Sequence, residues 1–289
     1  MASSTDSRKS VLITGCSPGG IGHSLSHTFH KRGLRVFATA RDRSKIADLE
    51  AVGIETLDLV VDDLQSVQAC FTEIESRVGS KGLDYLVNNA GRNYTVPAME
   101  VDLQEARAVF ETNFFAVITM CQKFLPLLMK AKGTVVQIGS VSGIVPYVFG
   151  SVYNASKAAL HSFSDTLRIE LEPFDVKVIV VVTGGVQSQI AREDRQLLPN
   201  SIYQPIMNEY HRRVKHSQEG AMNSDAYARS VVSQVLGSTS STSRWYRNWI
   251  WEGNRTRMIK FLAGGWLWFG FYGWFFRRMF NLNKLRAKK

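Results

Sequence analysis

Apolar runs punctuate the first two thirds of the chain: VLI at 11–13, RVFATA at 35–40, ETLDLVV at 55–61, YLV at 85–87, TVVQI at 134–138 and VKVIVVV at 176–182. The segments between them carry helical periodicity, so strands and helices alternate. A run such as VKVIVVV, apolar on both faces, suits a parallel strand covered by helices above and below, and right-handed crossovers are the way to join such strands. The pattern predicts an α/β fold with a doubly wound parallel sheet of the Rossmann type. A seventh strand is placed at 248–251, where Trp, Ile and Trp precede Gly253 after a Ser/Thr-rich stretch at 237–243. From 187 to 222 the chain turns polar and irregular, with Pro199, Pro205 and a charge-rich stretch at 212–215. No internal repeat is read.

Length and charge then divide the chain. A chain of 289 residues suits one large α/β domain with an appendage. The formal charge of +10 is uneven: residues 1–243 hold 24 basic and 24 acidic side chains, whereas 244–289 hold 11 basic ones against Glu252 alone. That tail also contains all six tryptophans, and aromatics interleaved with basic residues fit a lipid headgroup boundary better than a nucleic-acid groove. The expected domains are 1–256, folded on the sheet, and 257–289, a membrane-associating tail; no nucleic-acid partner is expected. Within the tail, 261–276 is 16 residues without charge. As a helix it would reach about 24 Å, short of a bilayer core of about 30 Å, so a monotopic or re-entrant anchor is expected. An aromatic helix packed on the domain itself or in a dimer interface is the competing reading. The basic terminus favours the cytosolic face of the endoplasmic reticulum or of a lipid droplet. From the polar first residues no secretory signal is expected, and the three cysteines show no staple or metal spacing. A reducing compartment and no metal site follow.

TGCSPGGIG at 14–22 follows the first apolar run and opens a helix, the setting in which glycines let backbone amides approach a pyrophosphate. Gly15, Ser17, Gly20, Ile21 and Gly22 are the candidate contacts; standing alone, the motif could equally be a tight strand-to-helix turn. At the end of the second run no carboxylate awaits a ribose hydroxyl. Arg41 stands there instead, followed by Arg43 and Lys45, and its fork suits a 2′-phosphate. NADPH is favoured over NADH, with Asp42 a contrary sign.

NNAG at 88–91 ends the fourth run and supplies Asn89, Ala90 and Gly91; Asn113 lies in ETNFF, Ser140 in IGSVSG, and YNASK spans 153–157. Tyr153 and Lys157 at i and i+4 share a helix face, so the ammonium can favour the ionised phenol and also reach a nicotinamide ribose. Reducing a ketone places negative charge on its oxygen, which needs a proton donor and a second hydrogen bond; Tyr153 and Ser140 can supply them. Each element has a bland reading as a helix pair, turn hydroxyl or cap, and the weight rests on their joint order.

These motifs, in this order across residues 10 to about 190, resemble the short-chain dehydrogenase/reductase family. The resemblance implies that Tyr153 is the acid/base, Ser140 positions the carbonyl, Lys157 holds ribose and tunes Tyr153, and Asn113 supports proton resupply. It also carries over Val186 and Ser188 as cofactor contacts and implies a homodimer or homotetramer. ATAR at 38–41, TGG at 183–185 and the tryptophan-bearing extension are similar to fungal acyl-dihydroxyacetone phosphate reductases. Two departures stand out: the glycine loop has one residue more than usual, leaving the roles of Gly19 and Gly20 open, and Val60 stands where the family often has an adenine-binding Asp, leaving Asp62 as a substitute. Tyr147 and Phe149, with Ser140, Tyr153 and the 187–222 segment, are expected to contact a lipophilic ketone. Acyl-dihydroxyacetone phosphate is the first candidate; a steroid, a retinoid, or a polyketide or terpenoid of fungal secondary metabolism is the alternative. A catalytically silent, membrane-bound NADP-binding scaffold is the reading from a different class.

Overall fold

The computed structural model describes residues 6–190, 195–240, 248–262, 275 and 278–281, with main chain only at 238–240. The strands are β1 (Ser10–Ile13), β2 (Arg35–Ala40), β3 (Glu55–Asp58), β4 (Tyr85–Asn88), β5 (Thr134–Ile138), β6 (Lys177–Thr183) and β7 (Trp249–Glu252). They form one sheet in the order β3-β2-β1-β4-β5-β6-β7, with every neighbouring pair parallel. All seven expected strands are present; the third is shorter than expected, stopping at Asp58 where the chain turns toward the next helix. The helices are α1 (Ile21–Lys31), α2 (Ala47–Ala51), α3 (Leu64–Val78), α4 (Leu103–Phe110), α5 (Ala116–Ala131), α6 (Ser151–Leu171), α7 (Met207–Lys215), α8 (Ser224–Ser240) and α9 (Thr256–Phe261).

Strand alternation explains the two cores. Val11, Ile13, Val36, Ala38, Tyr85 and Val87 point to one face, where Leu25 and Phe29 of α1 and Tyr227, Val231 and Val235 of α8 cover them. Leu12, Phe37, Leu86, Val135 and Val178 point to the other, against Val67 and Ile74 of α3, Met120 and Phe124 of α5 and Leu160 of α6. A parallel sheet buried on both faces has this pattern, and it sets the carboxyl ends of β1, β4, β5 and β6 along one rim where ligands bind in such folds.

The stretch Leu103–Ala131 is long and apolar enough to cross a membrane by length and composition. Its apolar residues Val117, Met120, Phe124 and Leu127 lie in the second core, so sheet packing accounts for its hydropathy. The apolar segment 263–274, the heart of the expected membrane tail, lies outside the described residues, as do 282–289. The described part of the C-terminal region packs on the sheet domain: Thr256 is buried and its hydroxyl bonds the Gly253 carbonyl at 2.8 Å, while Phe280 is fully buried.

Candidate active site

The glycine loop is latched to the end of β4. Thr14 Oγ1 accepts from the amides of Asn89 and Ala90, both at 3.0 Å, and Asn89 Nδ2 donates to the carbonyls of Thr14 and Gly15 at 2.8 and 2.9 Å. Gly15 has φ +72, and a Cβ on Gly22 would stand 2.5 Å from the Gly15 carbonyl oxygen, so neither position admits a side chain. The extra residue of the loop is absorbed in a turn: Gly19 takes φ +69, and Gly20 donates to Ser17 O at 3.1 Å and becomes the extended N-cap of α1. No side chain caps α1 and no acid sits in its first turn, so this terminus is electrostatically open to an anion. Loop and helix end fit a dinucleotide pyrophosphate. Asn89, expected to touch the cofactor, spends its side-chain amide on holding the loop.

Arg41 follows β2 and is exposed, with no carboxylate paired to it among the described residues. Its basic neighbours differ: Arg43 lies 3.9 Å from Asp58, and Lys45 lies 3.9 Å from Asp42. Asp42 turns away to cap the next turn, its Oδ1 accepting from the amide and hydroxyl of Ser44, so its charge is engaged there rather than beside Arg41. Asp62 stands beyond β3 with Oδ2 accepting from Thr112 Oγ1 at 3.1 Å. It borders the site but is partly engaged.

The candidate catalytic side chains come from α6 and the loop after β5. Lys157 is 5 % exposed. Its Nζ donates to Ile138 O at 2.9 Å and lies 6.0 Å from the Tyr153 ring centroid. Burial pulls its pKa down to about 8. Tyr153 moves the opposite way: burial raises its pKa, while a hydrogen bond with Ser140 and the charge of Arg213 oppose the rise. The i, i+4 spacing points to Lys157 as the cation that lowers Tyr153; the cation that opposes the rise in the structure is Arg213. Ser140 is buried, and its Oγ accepts from the Ser142 amide at 3.1 Å, which orients the hydroxyl toward the phenol.

His161 completes the stripe one turn beyond Lys157, at i+8 from Tyr153. Its Nε2 accepts from the Ser140 amide at 3.3 Å, and burial, reinforced by Lys157, pushes its pKa down to about 4. A neutral imidazole therefore supports the serine. A Cβ on Gly139 would meet that Nε2 at 2.3 Å and one on Gly143 would meet the ring at 2.9 Å, which accounts for both glycines of IGSVSG. The sequence reading missed His161, although the spacing 153, 157, 161 along one helix face carried the signal.

Asn113 is fully buried in a π-helical turn, Glu111–Phe115, between α4 and α5. Its Oδ1 accepts from the Arg92 amide at 2.8 Å; its Nδ2 donates to Arg92 O and Ser156 Oγ, both at 3.0 Å. Such a turn adds a residue to the helix and redirects one side chain; here it ties the loop after NNAG to α6 beside Lys157.

The far wall comes from the 187–222 segment. Tyr147 is half-buried, hydrogen-bonded to His216 and stacked by Arg213 with Cζ 3.4 Å from the ring centroid. Phe280 reaches the same place, 6.1 Å from the Tyr147 ring and 5.8 Å from that of His216. Phe149, expected to contact substrate, is instead buried with Ile206, Tyr210 and Val214 in a satellite core, at φ +61. It shapes the wall from behind. The Val186 side chain lies in the main core, leaving its main chain to address a nicotinamide, and the Ser188 amide bonds Gln218 Oε1 at 3.0 Å. TGG has a packing reason: a Cβ on Gly184 would sit 2.2 Å from the Asn254 carbonyl oxygen. The three cysteines are free and buried.

Fold and site together define a dinucleotide-binding oxidoreductase with a Tyr–Lys pair on one helix and a serine facing it. Residues 9–198 match the short chain dehydrogenase family, to which the chain belongs. The short-chain dehydrogenase virD of Hypocrea virens is 39% identical over 284 residues, covering 98% of this chain and 96% of that protein. The NADPH-dependent 1-acyldihydroxyacetone phosphate reductase of Schizosaccharomyces pombe is 38% identical over 251 residues, covering 84% of this chain and 82% of the relative. Among solved structures, a short-chain dehydrogenase from Streptomyces avermitilis superposes with a TM-score of 0.76 at 24% identity, covering 98% of this chain and 99% of that one. One from Burkholderia cenocepacia in complex with NADP gives 0.68 at 22% identity, covering 89% and 93%. At these identities the superpositions establish the fold.

Proposed function

We propose that the protein is an NADPH-dependent reductase that converts the ketone of a lipophilic substrate to a secondary alcohol. The observation that carries the reading is the convergence of Tyr153 and a buried Ser140 at the rim, where the serine acts on the phenol, with Lys157 buried one turn away and its Nζ on the Ile138 carbonyl. The nicotinamide, when bound, supplies the hydride. Tyr153 gives its proton to the carbonyl oxygen, and the Ser140 hydroxyl supplies the second hydrogen bond as charge develops there. Lys157, with a pKa near 8, can refill that proton close to neutrality. Thr14 and Asn89 hold the loop that would receive the pyrophosphate, and Arg41 suits the 2′-phosphate; the Schizosaccharomyces pombe relative is named as NADPH-dependent.

Acyl-dihydroxyacetone phosphate is the first candidate substrate, on the strength of that relative. A polyketide or terpenoid ketone stays the second reading, because short-chain dehydrogenases of Hypocrea virens and Aspergillus ruber, whose names specify no substrate, match more of this chain, 98% and 97%, than the reductase does at 84%. The basic, tryptophan-rich tail supports a place on the cytosolic face of the endoplasmic reticulum or a lipid droplet, where such substrates dissolve.

Oxidation of NADPH, followed by absorbance against a panel of acyl-dihydroxyacetone phosphate, steroid and polyketide-like ketones, tests the activity. Wild type should turn over at least one of them with NADPH in preference to NADH, and Tyr153→Phe should lower kcat by about 10² to 10⁴, the range for a general acid. NADP binding without turnover of any ketone would instead establish a silent scaffold.

A further inference from the structure

Among the described residues, the most deeply buried arginine has no carboxylate paired with it. Arg213 on α7 is 4 % exposed. Its Nε donates to Val148 O at 2.8 Å, and its plane lies on Tyr147. The groups that act on its charge are Tyr147, Tyr153 and Tyr210, all neutral at physiological pH, and its own charge also bears on His216, whose pKa is lowered mainly by burial. Other shielded arginines pair: Arg35 and Arg77 with Glu55, Arg168 with Asp165 and Arg195 with Glu105. A guanidinium taken out of water without a counter-ion is costly, and arginine does not escape by losing its proton.

Its position gives the cost a purpose. Arg213 Nη2 lies 3.1 Å from where a Gly150 Cβ would stand, at the N-cap of the helix that carries Tyr153. Asn154 Oδ1, 3.0 Å from the same point and without a donor, is a neutral acceptor and cancels no charge. The neighbourhood is positive beyond Arg213: Arg255 Nη1 lies 3.1 Å from His216 Nε2, and Arg255 acts on Tyr147 as well. Glu219 acts on Tyr147 and His216 but is not among the groups acting on Arg213.

We infer that Arg213 binds an oxyanion carried by the substrate, a phosphate monoester or a carboxylate, and so sets the ketone between Tyr153 and Ser140. The fork of donors left beyond Nε matches either anion. This assignment rests on the reductase reading, and it selects acidic amphiphiles over neutral ones within that reading.

Two measurements separate the assignment from the reading beneath it. With the full chain saturated with NADP so that the nucleotide's own phosphate sites are filled, binding of decyl phosphate, decanoate and decanol is measured by calorimetry. Wild type should bind one of the two anions about ten- to hundredfold more tightly than the alcohol, the size of one charge-assisted pair, and whichever anion it is names the head group. Arg213→Gln should erase that preference and Arg213→Lys should keep part of it. Equal affinity of wild type for all three, or a preference that survives in a folded Arg213→Gln protein, overturns the assignment; the wild-type comparison decides even where the glutamine variant does not fold. In turnover, the ratio of kcat/KM for acyl-dihydroxyacetone phosphate to that for its dephosphorylated ketone should fall by a similar factor in Arg213→Gln, mainly through KM. Anion preference without reduction of any ketone would keep the anion site and remove the reductase reading.

Discussion

Lys157 is both ionisable and buried, and that conflict is measurable. Its folded pKa of about 8 lies below the ordinary lysine value of 10.5. Between these values the native chain carries fewer protons than the unfolded chain, so stability rises as pH is raised through the window; below pH 8 the burial penalty is present in full, about 3 kcal/mol. Lys157→Met should therefore melt above wild type at pH 7, with the gap closing by pH 10, as followed by scanning calorimetry. Absence of a gain at pH 7 would mean that the bond to the Ile138 carbonyl already offsets burial. At this scale the sequence was partly legible. Tyr153, Lys157, Ser140 and Asn113 could be singled out together because the proposed chemistry demands fixed residue types in a fixed order, and the structure does gather them around α6. Arg213 was visible only as one charge in a polar stretch, since its burial depends on Tyr147 and Val148, more than 60 positions away.

Elements were more legible than side-chain roles. Strands apolar on both faces announce themselves, and even the short β7 was placed, because Trp249 and Ile250 must pack while Gly253 ends the run. The glycine loop was harder: spacing alone could not divide the work between Gly19 and Gly20, a matter of backbone dihedrals rather than residue type. The loop and α1 act as one unit, and Gly22 is the hinge of that argument. In Gly22→Ala the new Cβ would meet the main-chain oxygen of Gly15 at 2.5 Å, which no rotamer change relieves. NADP affinity should drop by about tenfold or more, roughly the loss of one backbone hydrogen bond to a charged group. A titration giving an unchanged Kd would show that the loop is looser than its contacts suggest. Nothing in ETNFF announces the π turn at Asn113, because the extra residue leaves no compositional mark.

At the scale of the molecule, the doubly wound class followed from the strand-helix rhythm, whereas the approach of Phe280 to Tyr147 did not, since nothing local predicts which surface a distant aromatic covers. Phe280 complicates a test of the tail by simple truncation, which would remove its contacts with Tyr147 and His216 along with the apolar segment. Replacing 263–274 by a Gly/Ser segment of equal length leaves α9 and Phe280 in the chain. The replaced protein should move from the membrane pellet to the supernatant on fractionation with its NADP affinity unchanged; full retention in the pellet would refute the anchor. A parallel sheet also has a second rim, where chains return from helix to strand. Gly33, Gly53 and Gly79 sit in those returns with positive φ and at least 3.8 Å of open space around them, remote from every group assigned to chemistry. That side is the handle of the molecule: a dye, a tether or a fused partner inserted there would ride along without entering the reaction.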